Sequence, residues 1–201
     1  MPLEGVRAVE LNNPRRRNAL SMELLRALDA ALAAAEADAA TRVVVIRSST
    51  PGMFCSGHDL AEVNGLDGNG LRRLFDACAG VMVRIEASDK PIVAEVDGVA
   101  TAAGCQLVAS CDLAIAAETA MFATPGVNIG LFCSTPMVAL SRNVPRKQAM
   151  EMLLLGEFLP ASRVAEIGLV NRVVPLSELE TASMDMARII ANKSPSAVKI
   201  G

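Results

Sequence analysis

The sequence lacks tryptophan and tyrosine, and five phenylalanines are the aromatic residues among its 201 positions. Proteins that bind nucleic acid stack bases on aromatic rings and meet the phosphates with a basic surface. Here 19 basic residues stand against 22 acidic ones, which leaves a formal charge of −3. Both features argue against nucleic acid as a partner.

Histidine and paired cysteine are also scarce. His58 is the single histidine, and the five cysteines contain no C-x-x-C pair. Zinc sites are built from such residues, and an odd cysteine count does not suit a disulfide framework. We therefore expect no metal site and buried, reduced thiols. Because the first residues lack the basic and apolar regions of a signal peptide, we expect a cytoplasmic protein.

One segment is long and apolar enough to require a test for membrane insertion. Residues 119–141 carry no charge over 23 positions, which is a spanning length. Pro125 and Pro136 interrupt it, together with two glycines, and each proline would break a helix. We expect a buried irregular segment and no membrane partner.

Strand and helix patterns alternate along the chain. At about 150 residues per domain, the length favours one domain, and 52% hydrophobic residues can form a sizeable core. Apolar periodicity predicts strands at 6–11, 43–47, 92–96, 112–116 and 172–174, and helices at 21–37, 71–85, 102–109, 134–141, 146–155 and 177–192. A further helix opens at 160, and residues 48–59 are expected to form a loop. This alternation predicts an α/β fold with a mostly parallel sheet, as a core domain over residues 1–175 and the start of a C-terminal helical region over 176–201.

Two glycine-containing segments follow predicted strands. In residues 54–60, Gly57 permits a backbone conformation that leaves the N–H of His58 free. In residues 97–107, small residues lead into a helix whose first N–H groups have no partner within the helix. Each segment alone fits a plain loop or close helix-on-sheet packing equally well. Together they suggest two N–H groups aimed at one carbonyl oxygen, which is an oxyanion hole suited to a thioester.

At this point the residues match a known family. Segments 12–20, 54–60, 90–117, 150–156 and 168–175 resemble the crotonase (enoyl-CoA hydratase/isomerase) superfamily, in the family's order and over essentially the whole chain. Segments 56–60, 100–107 and 122–136 are most similar to one branch of it. The resemblance implies a crotonase-like spiral of ββα units, with mostly parallel sheets covered by helices and C-terminal helices that are short or missing. It implies an enzyme family of the lyase type, an acyl-CoA substrate without a separate cofactor, and a homotrimer or dimer of trimers.

The resemblance also implies roles for individual residues. The backbone N–H groups of His58 and Ala103 would form the oxyanion hole. Other positions would line the coenzyme A channel or the acyl group: Arg17, Asn18, Ala19, Leu20, Ser56, Gly57, Asp59, Leu60, Ala102, Gly104 and Pro125.

The sequence departs from the family's hydratases at two positions. Hydratases carry glutamates where this chain has Gln106 and Gly126. Hydration needs a base for the water and an acid for the α-carbon, each worth about 10²–10⁴ in rate. A carboxamide can hold a water but cannot take its proton. We therefore expect an acyl-CoA-binding, hydratase-like protein whose efficient hydration is doubtful. Isomerisation, hydrolysis or decarboxylation of another thioester remains open, as does a non-catalytic acyl-CoA-binding or assembly protein.

Few other residues could replace the two glutamates. His58 could act as a base, but the main expectation for it is its backbone amide. Cys105 and Cys133 flank the expected pocket, although no second histidine could activate them. Glu62 and Glu118 are expected to be surface charges. Asp112 is expected to anchor a strand.

Overall fold

The computed structural model describes residues 4–200, and its strands form two sheets. The strands in chain order are β1 (Val6–Leu11), β2 (Val43–Ser48), β3 (Met53–Cys55), β4 (Ile92–Val96), β5 (Val99–Thr101), β6 (Leu113–Ala117), β7 (Met121–Ala123), β8 (Leu159–Pro160) and β9 (Arg172–Val174). The larger sheet has the order β1-β2-β4-β6-β9 and is parallel throughout. The smaller sheet has the order β3-β5-β7-β8, in which only β8 is antiparallel to its neighbour.

Helices connect and cover these sheets. In chain order they are α1 (Met22–Ala37), α2 (Leu60–Gly65), α3 (Gly68–Glu86), α4 (Ala103–Ser110), α5 (Ser134–Asn143), α6 (Arg146–Leu155), α7 (Ala161–Glu166), α8 (Leu179–Ala191) and α9 (Pro195–Ile200). Short 3₁₀ helices lie at Pro14–Arg16, Pro125–Ile129 and Leu176–Glu178. None of the helices within residues 4–200 has both the length and the apolar composition needed to cross a bilayer.

The chain winds as a spiral in which each turn visits both sheets. It passes from β2 to β3 and then to α2, from β4 to β5 and then to α4, and from β6 to β7 and then to α5. Each turn thus contributes one strand to the larger sheet, one strand to the smaller sheet and then a helix. The expected spiral of ββα units is confirmed.

The larger sheet is buried on both faces, because its side chains alternate between two hydrophobic clusters. On β2, Val44 and Ile46 belong to the main core, while Val43 and Val45 belong to the cluster that includes residues of α8. Val45 lies opposite Val93 of β4, which faces the same way. Such strands read as continuous β-branched runs, which explains why the sequence pattern located them. Helix α8 lies in the predicted C-terminal region, yet it packs directly on this sheet.

All strands predicted for the larger sheet are confirmed, and so are the helices, with boundaries shifted by one to three residues. The prediction of a loop over residues 48–59 is wrong for residues 53–55, which form β3. The sequence pattern also missed the strands β5, β7 and β8 and the helix α2. These strands have two or three residues, too few for a hydrophobic period to be visible. The missed strands form the smaller sheet, and the candidate site lies against it.

Candidate functional site

The first part of the candidate site is the loop that follows β3. Gly57 is buried and has φ +88°, a conformation that L side chains rarely adopt. Its carbonyl accepts a hydrogen bond from Leu20 N at 2.7 Å, and Ser56 N donates to Arg17 O at 3.2 Å. The Arg17 to Leu20 turn and the loop after β3 are therefore joined.

The second part is the turn at Ala102, between β5 and α4. Ala102 has φ +50° and ψ −118°, which is strained for a residue with a Cβ. Its N–H donates to Ala123 O in the neighbouring strand β7 at 2.9 Å, and its carbonyl accepts from Gln106 N at 3.0 Å. These bonds fix the direction in which α4 starts. Ala103, the first residue of that helix, is buried.

These two parts are in direct contact. A Cβ atom placed on Gly57 would lie 2.9 Å from Ala102 Cβ and 3.4 Å from Ala103 N. A Cβ on Gly104 would lie only 2.2 Å from the carbonyl oxygen of Cys55. Because both positions lack a side chain, α4 begins directly against the end of β3. Thr101 Oγ1 also donates to Ser56 O at 3.0 Å, which holds the loop in place.

The amides of His58 and Ala103 have no acceptor within the described chain. Hydrogen bonds join Leu20 N to Gly57 O and Gln106 N to Ala102 O, but neither His58 N nor Ala103 N donates to any atom of residues 4–200. Ala103 N is one of the N–H groups that a helix start leaves unpaired, at the end where the helix dipole favours negative charge. Two amides without an acceptor inside the protein are what an oxyanion hole requires.

Asn18 differs from the other predicted channel residues, because its side chain is fully buried and bonded within the protein. Its Oδ1 accepts from Asn13 N at 2.8 Å, and its Nδ2 donates to Ser48 Oγ at 2.8 Å and Phe54 O at 3.0 Å. Asn18 also has φ +53°, which asparagine tolerates better than most residues. The side chain thus holds the turn against β2 and β3.

Replacing Asn18 by aspartate is expected to lower the free energy of unfolding by about 3 kcal/mol, because a buried carboxylate would face acceptors where the amide donates. Chemical denaturation measures this change. The matched control is Asn12→Asp at an exposed position, which should change stability by no more than about 0.5 kcal/mol. Equal effects of the two substitutions would contradict the assigned role of Asn18.

The remaining channel positions differ in exposure. Arg17 and Leu60 are exposed, Ala19 and Leu20 are buried, and Ser56, Ala102 and Pro125 are partly buried. Asp59 caps α2, since its Oδ1 accepts from Ala61 N at 3.0 Å and from Glu62 N at 3.3 Å. The roles of these residues toward coenzyme A stay predictions.

The His58 side chain lies against Phe75 of α3. The two ring centroids are 4.7 Å apart, and the buried Nε2 atom has no hydrogen-bond partner within residues 4–200. Burial lowers the pKa of the imidazole, so it is neutral at neutral pH and is a weaker proton acceptor than an exposed histidine. Sequence reasoning missed Phe75, which looked like one of several apolar positions on a helix.

The two positions that the resemblance assigns to the family's glutamates are both buried. Gln106 is 6% exposed, and its Oε1 has no hydrogen-bond partner in the described chain. A Cβ on Gly126 would lie 2.9 Å from Cys133 Sγ and 3.1 Å from Leu131 O. The space that a side chain at position 126 would need is therefore occupied by the segment leading into α5.

No thiol in this region is activated. All five cysteines are free and buried, and burial raises the pKa of Cys105 to about 12. The pKa of Cys133 is also raised by burial. Both thiols are thus protonated at neutral pH, which makes them poor nucleophiles. Across residues 4–200, no cluster of three or more His, Cys, Asp or Glu side chains could hold a metal ion.

The carboxylates near the site have structural partners or face solvent. Glu62 is partly buried and accepts from Met22 N at 3.0 Å, so it caps α1 and is not simply a surface charge. Glu118 is exposed, as expected. The expected anchoring role of Asp112 is confirmed, since its Oδ2 accepts from Ile92 N at 2.7 Å.

One more polar side chain, which sequence reasoning missed, belongs to this region. Thr124 directly follows β7, is fully buried, and its Oγ1 has no hydrogen-bond partner within residues 4–200. A single threonine before Pro125 carries no pattern in the sequence, and only the pairing of β5 with β7 brings it near Ala102.

Comparisons with known proteins identify the family to which the chain belongs. The model of the enoyl-CoA hydratase/isomerase family matches residues 3–200, and the chain belongs to that family. Within it, the chain is similar to enoyl-CoA hydratase domain-containing protein 3, mitochondrial, of Rattus norvegicus. That similarity is 48% identity over 199 residues, which cover 98% of this chain and 66% of the relative.

Solved structures of proteins from the same family are also similar to this chain. The crystal structure of human enoyl coenzyme A hydratase domain-containing protein 3 has a TM-score of 0.94 and 45% identity, covering 100% of this chain and 79% of that one. An enoyl-CoA hydratase from Bacillus anthracis has a TM-score of 0.95 at 30% identity, covering 99% of this chain and 78% of that one. The family, its branch and the crotonase-like fold expected from the sequence are confirmed. The chain spans about two thirds of the length of the curated relatives it matches.

Proposed function

We propose that this protein binds an acyl-CoA thioester and polarises its carbonyl through the backbone N–H groups of His58 and Ala103. The observation that carries this proposal is the contact between the Gly57 loop and the start of α4, together with the absence of any acceptor for either amide within residues 4–200. Membership of the enoyl-CoA hydratase/isomerase family supports an acyl-CoA ligand.

Proton transfer after carbonyl polarisation depends on the side chains near the two amides. Gln106 cannot take a proton from water, and the Cβ direction of Gly126 is blocked by Cys133 and Leu131. His58 is neutral and shielded by Phe75. We therefore propose that enoyl-CoA hydration is weak or absent, because Gln106 and Gly126 supply neither a carboxylate base nor a carboxylic acid at the two positions that the resemblance assigns to glutamates.

Binding of a thioester and of its thioether analogue tests the oxyanion hole without any mutation. Butyryl-CoA has the carbonyl oxygen that the two amides would bind, and S-butyl-CoA lacks it. We expect butyryl-CoA to bind about tenfold or more tightly than S-butyl-CoA in isothermal titration calorimetry, because two hydrogen bonds are lost with the oxygen. Equal affinities would contradict the proposed role of the amides.

Assembly and location are further parts of the proposal. Trimers or dimers of trimers follow from the family resemblance, and size-exclusion chromatography with light scattering would measure them. The similar rat, zebrafish, mouse, human and frog proteins carry the word mitochondrial in their names, so a mitochondrial location is proposed as the alternative to the cytoplasmic one.

A further inference from the structure

The direction of each free amide is fixed by the carbonyl group of its own peptide unit. In a planar trans peptide the N–H and the C=O point in opposite directions, and the described chain contains no cis peptide bond. The N–H of His58 shares its peptide with Gly57 O, which accepts from Leu20 N at 2.7 Å. The N–H of Ala103 shares its peptide with Ala102 O, which is bonded to the backbone of α4. Each segment therefore orients its own amide, and the distance between the two amides depends on how the segments are held together.

One side-chain hydroxyl joins the two segments beyond the end of their backbone pairing. The pairing of β3 with β5 stops one residue before Ser56 and one residue before Thr101. There Thr101, which is buried, donates from its Oγ1 to Ser56 O at 3.0 Å. Among the side-chain hydrogen bonds of the described chain, this bond alone joins residues 56–58 to residues 101–103.

A steric contact acts against closer approach of the same two segments. A Cβ atom on Gly57 would lie 2.9 Å from the Cβ of Ala102, so the two backbones already meet there. The hydroxyl of Thr101 opposes separation, and the contact at Ala102 opposes compression. An oxyanion hole needs both donors about 2.7–3.1 Å from one oxygen, so the distance between the segments decides whether both amides can reach it.

We propose that Thr101 is a positioning residue of the oxyanion hole, and that its hydroxyl sets the distance between the amides of His58 and Ala103. A threonine suits this role, because its branched Cβ restricts the rotamers of the side chain. Thr101 acts through the carbonyl of Ser56 and does not itself bind the thioester. This inference rests on the proposed function.

The test measures how strongly variants of Thr101 prefer butyryl-CoA over S-butyl-CoA in isothermal titration calorimetry. Thr101→Val keeps the shape of the side chain and removes the hydroxyl. We expect it to reduce the preference from about tenfold to less than about threefold, while the affinity for S-butyl-CoA stays within about twofold, because that ligand has no oxygen for the amides. Thr101→Ala, a second variant without the hydroxyl, is expected to act in the same direction. Thr101→Ser keeps the hydroxyl and is expected to retain the preference.

Infrared spectroscopy of the bound thioester supplies a readout that a merely structural threonine would not move. With a ¹³C label in the carbonyl of butyryl-CoA, polarisation by the two amides should shift the C=O band to lower wavenumber in the natural chain. We expect Thr101→Val to retain less than about half of that shift and Thr101→Ser to retain most of it, because the shift depends on both donors being in place.

Thr41→Val is the matched control for the loss of a buried threonine hydroxyl. Thr41 is buried, and its Oγ1 donates to Oδ2 of Asp38, the residue that ends α1, at 2.7 Å. Both valine variants are expected to lower the midpoint of chemical denaturation, because each loses one hydrogen bond. Only Thr101→Val is expected to change the preference and the infrared shift.

The outcomes separate this inference from the proposed function. A preference and an infrared shift that survive in both Thr101→Val and Thr101→Ala would overturn the role of Thr101 alone. Equal losses of preference in Thr101→Val and Thr41→Val would overturn it as well. If the natural chain binds butyryl-CoA and S-butyl-CoA equally, or binds neither, the proposed function fails and this inference fails with it.

Discussion

Crotonyl-CoA is expected to be hydrated by this protein at least about 10⁴-fold more slowly than by a family member that carries both glutamates. Each missing proton-transfer group costs about 10²–10⁴ in rate, and groups that act together are not simply multiplicative. The loss of the conjugated enoyl absorbance over time measures the reaction. Calorimetry on the same preparation shows whether the ligand binds.

Two single substitutions that introduce a glutamate serve as controls for the expected slow hydration. Gln106→Glu is expected to recover part of the rate, because position 106 lies in the first turns of α4 near the unpaired amides. Gly126→Glu is expected to recover none and to lower stability, since its Cβ would lie 2.9 Å from Cys133 Sγ. Turnover by the natural chain at the rates of ordinary hydratases would show that another acid and base act in the site.

The largest effect on stability is expected from Gly104→Ala. A Cβ at this position would lie 2.2 Å from the carbonyl oxygen of Cys55 and 2.8 Å from its carbonyl carbon, and backbone cannot move aside as a flexible side chain can. Overpacking commonly costs 1–3 kcal/mol, and we expect about 3 kcal/mol or more here. Because α4 must also move away from β3, binding of butyryl-CoA should weaken along with folding.

Gly80→Ala is the matched control for this substitution. Gly80 is an exposed residue inside α3, and a Cβ there has no neighbour within 4 Å. Alanine is a better helix former than glycine, so we expect the free energy of unfolding to rise by about 0.5–1 kcal/mol. If Gly104→Ala also proves neutral or stabilising in chemical denaturation, the close approach of α4 to β3 is incorrect.

The larger sheet could be predicted from the sequence, and the smaller sheet could not. Runs such as Val43 to Ile46 are apolar on both faces because the main core lies on one side and α8 lies on the other. The strands β3, β5 and β7 are three residues long, and their pairing is determined by the spiral of the chain. Local sequence carries little signal for elements of that length.

The part of the candidate site that depends on small residues could be predicted from the sequence. Gly57 and Gly104 allow the backbone to come close to another segment. In the structure Gly57 lies against the turn at Ala102, and Gly104 lies against the end of β3. The role of Asn18 could not be read from the sequence, because its hydrogen bonds reach residues about 30 to 36 positions away. Thr124 was also not predictable, since strand pairing alone brings it to the turn.

The central claim is that two main-chain amides share one ligand oxygen, and a crystal structure of the protein with bound butyryl-CoA tests it most directly. The account predicts the thioester oxygen at about 2.7–3.1 Å from both His58 N and Ala103 N. A thioester oxygen bonded elsewhere, or amides that face away from each other in the complex, would contradict it.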